Sequence, residues 1–369
     1  MKNNSEVLTE IVTNKIFFPK YIFTNVMYKV KSDEQELCDI LIEFKDYYIS
    51  IEVKEKSDLG DSQDYVWFKN KVLNKAKNQL KRTIKNIATG VLDFYTTSND
   101  TTNTIKIDKN KTIIPIIVFC NSEFENYDRY CYSKSLDKVI NIFSYADFCT
   151  MLDTIVIPYD IIGYLLERSS YMPTQGGKRF IFEDLTSEAT LLSTPQTEQD
   201  YAEMYLVKNY YNQNIQIEYV RFYNEFLSMI YKDFDSYLPE LFEMLLSADA
   251  VVANRMVQFY YEAVKQSKSE YKNIPLFVHN NNGNGIAFMC KPFTRTDEEF
   301  NTYMSNYGTY FAYKYKIKKL YLLLFVNATE DTFLIKAGFS TYNLPSFDPD
   351  LEMKTREMEN YILQYKNSN

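Results

Sequence analysis

The stretch ELCDILIEFKDYYISIEVKEK, residues 36–56, constrains the fold of this chain more than any other. CDILIEF and YYISIEV are β-prone runs separated only by a short polar turn around residues 45–47, the pattern of an antiparallel hairpin. With the turn at Asp46 and Tyr47, Phe44 faces Ile49, Asp39 lies across from Lys54, and Glu52 stands one pleat away. Alternation then puts Asp39, Glu52 and Lys54 on one face, while Ile40, Ile42, Phe44, Ile49, Ile51 and Val53 fill the other. Two acids and a lysine on one strand face admit two readings, a solvated sheet face or a site.

The flanking patterns frame the hairpin. Residues 5–18 carry Val7, Leu8, Ile11 and Val12 at helical spacing with Ser5 as N-cap, and YIFTNVMYKV reads as a strand. Residues 64–87 form a long helical pattern with Val66, Val72, Leu73, Ala76, Leu80, Ile84 and Ile87 along its inner side. TTSNDTTNT then reads as a loop and TIIPIIVFC as a buried strand. VINIFSYADFCTML adds a short strand and a helix, and PYDIIGYLLERSSY a closing helix. This order defines an α/β domain over residues 1–170, a mixed sheet flanked by helices. MPTQGG and LLSTPQTEQ mark a linker over residues 171–200. Residues 201–369 follow as a second, α+β domain. Its helices lie near 219–231, 237–246, 253–266 and 298–315, with a hairpin near 279–285 and the strands KLYLLLFVN and TFLIKAGF.

Composition removes several function classes. The single histidine, His279, cannot supply the paired histidines of zincins or HD phosphohydrolases, and no GxSxG elbow is there for it to serve. It opens HNNNGNG, which reads as a hairpin turn. NNGNG and TQGGKRF both lack the glycines and context of a phosphate-binding loop. Five scattered cysteines without CxxC spacing suit reduced thiols, and MKNNSEVLTEIV has no apolar run before a cleavage site. With no apolar stretch of about 18 residues, neither export nor a membrane span is expected, and the expected compartment is the cytoplasm.

The hairpin acids and the helix after them suit one another chemically. Asp39 and Glu52 on one face can chelate a hard cation such as Mg²⁺, which takes oxygen ligands and keeps several waters. Such a metal activates a water as nucleophile and screens phosphate charge, and Lys54 would stabilise the charge that builds there. A polar residue of the first helix would complete the ligand set, Glu10 first and Glu6 second. KNKVLNKAKNQLKRTIK carries Lys69, Lys71, Lys75, Lys77, Lys81, Arg82 and Lys85 without one acid, in a chain of net charge −8. That asymmetry points to a phosphate-facing surface beside the carboxylates, its alternative being a solvated helix face.

Helix, strand, a hairpin bearing Asp39 and Glu52-Val53-Lys54, then a long helix and another strand: this order resembles the PD-(D/E)xK nuclease superfamily, the restriction-endonuclease-like fold, over residues 1–170. The resemblance implies that Asp39 and Glu52 bind Mg²⁺ (or Mn²⁺), that Lys54 is catalytic, and that Gln79 stands near the site as a helix glutamine does in some branches. Cys38 replaces the proline before the first acid, and Thr83 the tyrosine that exonuclease branches place after the glutamine. The activity implied is that of a Mg²⁺-dependent DNA endonuclease, by analogy in prokaryotic defence or restriction. The competing class is a non-catalytic, nuclease-like scaffold that binds nucleic acid or a protein partner. In the second half, TYFAYKYKIKKLYLLLFV interleaves tyrosines with Lys314, Lys316, Lys318 and Lys319. Phe300, Tyr307 and Phe311 read there as a buried helix face, and the whole half as a recognition or self-association domain, through a homodimer or a protein partner.

Overall fold

The structure, a computed structural model, describes residues 3–30, 33–56, 64–90, 93–98, 101–121, 127–174, 197–210, 213, 215–234, 238–267, 276–279, 283–291, 297–326 and 334–368. The chain divides into two compact units, Met1–Asn214 and Ile215–Asn369.

In the first unit, α1 (Asn4–Phe17) leads into β1 (Ile22–Val30), β2 (Asp33–Phe44) and β3 (Tyr47–Glu55), an antiparallel meander. A helix then runs in three parts: α2 (Asp64–Trp67), a π-helical stretch (Phe68–Ala76) and α3 (Lys77–Thr89). It is followed by β4 (Phe94–Ser98), β5 (Thr101–Ile105), β6 (Thr112–Cys120), β7 (Tyr130–Ser133) and β8 (Lys138–Ser144). The unit closes with α4 (Tyr145–Ile155), α5 (Pro158–Thr174) and α6 (Glu198–Tyr210). Its eight strands form one mixed sheet in the order β5-β4-β1-β2-β3-β6-β8-β7, with β3, β6 and β8 parallel. The expected α/β class and flanking helices are present.

Three layers result. The unbroken apolar runs of β3 and β6 need cover on both faces. Ile117, Phe119, Ile140 and Ile142 pack under Phe68, Val72, Ala76 and Leu80 of the long helix, and Leu37, Leu41 and Tyr48 under Ile84 and Ile87. On the opposite face Phe44 meets Phe17 of α1, and Phe143 meets Phe148 of α4.

Three expectations are corrected here. Most of TTSNDTTNT is strand and not loop: β4 and β5 pair antiparallel, and β4 pairs with β1 through Val26↔Thr96, residues 99–100 lying outside the described residues. The β-branched threonines suit an edge strand once β1 offers a partner. α1 is turned over: Ser5, Thr9 and Thr13 are buried, while Val7, Leu8 and Ile11 are 41%, 46% and 48% exposed. The burial is tolerated because Thr9 Oγ1 donates to Ser5 O and Thr13 Oγ1 to Thr9 O. Asn3, not Ser5, caps the helix, in a reciprocal pair with Glu6. Finally, the unit boundary falls after residue 214, so α6 belongs to the first unit; most of the expected 171–200 linker lies outside the described residues.

The second unit holds α7 (Ile217–Phe234), α8 (Pro239–Leu246), α9 (Ala250–Ser267), β9 (Leu276–His279), β10 (Asn284–Lys291), α10 (Asp297–Tyr315), β11 (Lys319–Val326), β12 (Leu334–Thr341) and α11 (Pro349–Ser368). Its sheet runs β12-β11-β10-β9, with α10 as the crossover between parallel β10 and β11. The expected hairpin, helices and strands are present, and α11 is additional. Phe311 is buried as expected; the side chain of Phe300 lies outside the described residues. Lys314 pairs with Glu359, and Lys319 with Glu240, which also accepts from the Tyr321 hydroxyl. Among the described residues no helix is long and apolar enough to cross a membrane.

Candidate active site

The hairpin register sets the site. β2 and β3 pair as Phe44↔Tyr47, Ile42↔Ile49 and Ile40↔Ile51, so the turn is Lys45 and Asp46, with Lys45 at φ 47° as tight two-residue turns require. The next position sets Asp39 against Glu52, not against Lys54, a shift of two from the expected register. An even shift leaves every side chain on its expected face. The ladder ends at Ile40↔Ile51, and there Asp39 Oδ2 accepts the Val53 N–H at 2.6 Å. A carboxylate thus replaces a main-chain partner at the mouth of the hairpin. Across β2, the pairing with β1 slips beside Leu37, from Val26↔Cys38 to Met27↔Glu36, and both Leu37 and Cys38 enter the core.

Lys54 completes the group. Its Nζ lies 2.8 Å from Val53 O, 3.1 Å from Glu52 Oε2 and 3.6 Å from Asp39 Oδ2. Glu52 is 1% exposed. Burial first, and the Asp39 carboxylate second, push its carboxyl up to about 8. Burial alone would lower the Lys54 ammonium, but Asp39 and Glu52 outweigh it and hold the group above its ordinary value. Two buried carboxylates therefore share one cation, held among three oxygens.

Asp39 and Lys54 face a cleft of about 520 Å³. One wall is a single row along the long helix, Trp67, Lys71, Lys75 and Gln79. In an α-helix at 3.6 residues per turn, every fourth residue advances about 40°, and Gln79 would lie about 120° round from Trp67. The wider π turn rotates less per residue and offsets that drift, which keeps the row facing the cleft. Gln79 Oε1 is buried there without a hydrogen-bond partner. The facing side carries Glu6, Glu36 and Glu55.

Asp39, Glu52, Lys54 and Gln79 therefore come together as expected from the sequence. Glu10 does not: the buried Ser5–Thr9–Thr13 stripe orients α1 so that Glu6, one turn earlier, lines the cleft. Of the seven basic helix residues, Lys71 and Lys75 line it. Lys77 donates to Tyr132 O and Arg82 to Glu36 O, and Lys69, Lys81 and Lys85 lie off its wall. The sequence reading missed Lys56, Trp67 and Glu36. Lys56 continues the alternation of Glu52 and Lys54, a signal that was available; Glu36 reaches the cleft through the irregularity at Leu37, which leaves no mark in the sequence. Among the described residues no three Asp, Glu, His or Cys side chains stand close enough to hold a metal ion by themselves.

A second buried charge cluster lies elsewhere in the unit. Glu198, at the start of α6, accepts from Arg168 Nε at 3.1 Å and Nη2 at 3.2 Å, from Arg129 Nη1 at 2.7 Å, and from the Tyr164 hydroxyl. Arg168 also donates to Asn141 Oδ1 and to the main chain of Arg129 and Ile142. Comparison with protein families, with curated proteins and with solved structures finds no match to this chain.

Proposed function

We propose that the cleft is the active site of a metal-dependent nuclease that hydrolyses phosphodiester bonds in DNA. The observation that supports this reading most is the Lys54 ammonium lodged among Asp39 Oδ2, Glu52 Oε2 and Val53 O, beside a wall that carries Lys71 and Lys75. These oxygens are the hard donors that Mg²⁺ or Mn²⁺ prefers, and the ammonium stands in for such an ion. Asp39, Glu52 and the Val53 carbonyl would hold the metal, with water completing its shell. When bound, it supplies Lewis acidity to a phosphate oxygen and lowers the pKa of a water.

The chain's own groups divide the remaining work. Asp39 and Glu52, once ionised, fix the cation at the mouth of the hairpin. Lys54 would donate to the phosphate oxygen on which charge accumulates. Lys71 and Lys75 hold the flanking phosphates, and Gln79 stands on the same wall. The resemblance to the PD-(D/E)xK superfamily agrees with these roles.

Plasmid, linear and single-stranded DNA, with RNA alongside, incubated with Mg²⁺ or Mn²⁺ test the reading. Wild type should cut at least one of these DNAs, and Asp39→Ala and Lys54→Ala none of them. Equal cutting by all three proteins would refute it. Folded wild type that binds nucleic acid and cuts nothing would favour the scaffold reading.

A further inference from the structure

We infer that the cleft admits one strand at a time, so that single-stranded nucleic acid rather than intact duplex is its substrate; this rests on the nuclease reading. The two walls carry opposite charge. Lys71 and Lys75 stand on the long helix, and Glu6, Glu36 and Glu55 on α1, β2 and β3, where Lys56 is taken up by its ion pair with Asp64. Glu6 is fixed in place, its Oε1 accepting from Asn3 Nδ2 and its Oε2 from Asn3 N. Arg82 binds the main-chain carbonyl of Glu36, which holds that residue at the rim.

A duplex brings two phosphate backbones, about one negative charge per 1.7 Å of axis. One backbone laid on the lysine row puts the other beside the acidic wall, and like-charge juxtaposition of this kind excludes a partner as effectively as attraction selects one. A lone strand can turn its one backbone to the basic wall and its unpaired bases to the acidic one. Size agrees: a cleft of about 520 Å³ suits a small-molecule-sized body such as a nucleotide.

Fluorescence anisotropy without metal, on a single-stranded DNA, the same strand as RNA, and the DNA duplex, tests the inference. The wild type should bind a single strand about ten-fold or more tighter than the duplex, and the two single strands show which sugar it takes. Glu36→Gln should raise duplex affinity about five-fold or more and so narrow the ratio of single-strand to duplex binding. Duplex bound as tightly as single strand by wild type, or an unchanged ratio in Glu36→Gln, would each overturn the inference. The two readings fail separately. Single-strand preference without cutting in Mg²⁺ removes the nuclease and keeps the strand selectivity, and preferential cutting of duplex does the reverse.

Discussion

Glu52 and Glu198 are both buried glutamates of the same unit, in opposite electrical situations. Glu198 receives two guanidinium groups and a tyrosine hydroxyl, so its charge is fully answered by the protein. Glu52 lies beside a second carboxylate, and the pair shares one ammonium. The first arrangement is closed: it ties α6 to α5 and to Arg129, with Glu198 and Arg168 fully buried. The second has two acids for one ammonium, so Glu52 keeps its proton up to about pH 8, and it opens on a cleft. The contrast separates a structural ion pair from a site for an added cation, although burial alone looks the same in both.

The comparison can be broken at several points, the largest effect coming first. Glu198→Ala strands Arg168 in the core, and removing one partner of a buried pair costs about 3–5 kcal/mol. Thermal unfolding should show it as a fall in Tm of about 10 °C, at about 2–4 °C per kcal/mol. A Tm within a degree or so of wild type would mean that the cluster does not hold α6. Lys54→Ala, by contrast, should keep the fold and lower Mg²⁺-dependent cleavage about 10²–10³-fold, the usual loss for one charge-stabilising donor. If Lys54→Ala unfolds and Glu198→Ala does not, the two clusters have been assigned the wrong way round.

Glu52 gives a pH test. In the metal-free protein its carboxyl titrates near 8, against the ordinary 4.5 in the unfolded chain. Between those values the native state binds more protons, so stability falls as pH rises from about 5 to 8. Tm measured at both ends should fall in wild type, and Glu52→Gln should flatten that slope. An identical slope in the variant would show that Glu52 is ionised throughout. The smallest effect concerns the lysine row: Lys75→Ala should reduce the salt dependence of strand binding by about 0.7 in the log–log slope, and Lys85→Ala, off the cleft, should leave it unchanged. Equal changes in both would mean that the whole helix face, not one row, meets phosphate.

Particular residues show where sequence reasoning stops. Parity in a strand is visible in alternation, so Asp39, Glu52 and Lys54 could be put on one face; the register was off by two because the turn takes Lys45 into a left-handed conformation. The helix bearing Lys71 and Lys75 was visible as a basic run. Its π stretch, which selects two of the seven basic residues for the cleft, has no pattern in composition. α1 reads as amphipathic in one sense and packs in the other, since threonines that bond to their own helix can be buried while valine and leucine stay out. Glu198, Arg168 and Arg129 are far apart in sequence, and only the fold brings them together.

The central claim is that the Asp39–Glu52 pair holds a divalent cation. Direct titration of Mn²⁺ by electron paramagnetic resonance tests it, because free and bound ions are counted separately and no substrate is needed. The account predicts one ion per chain, displaced by Mg²⁺, lost in Asp39→Asn and retained in Lys54→Ala. Absence of binding in folded wild type, or equal binding in Asp39→Asn, would contradict it.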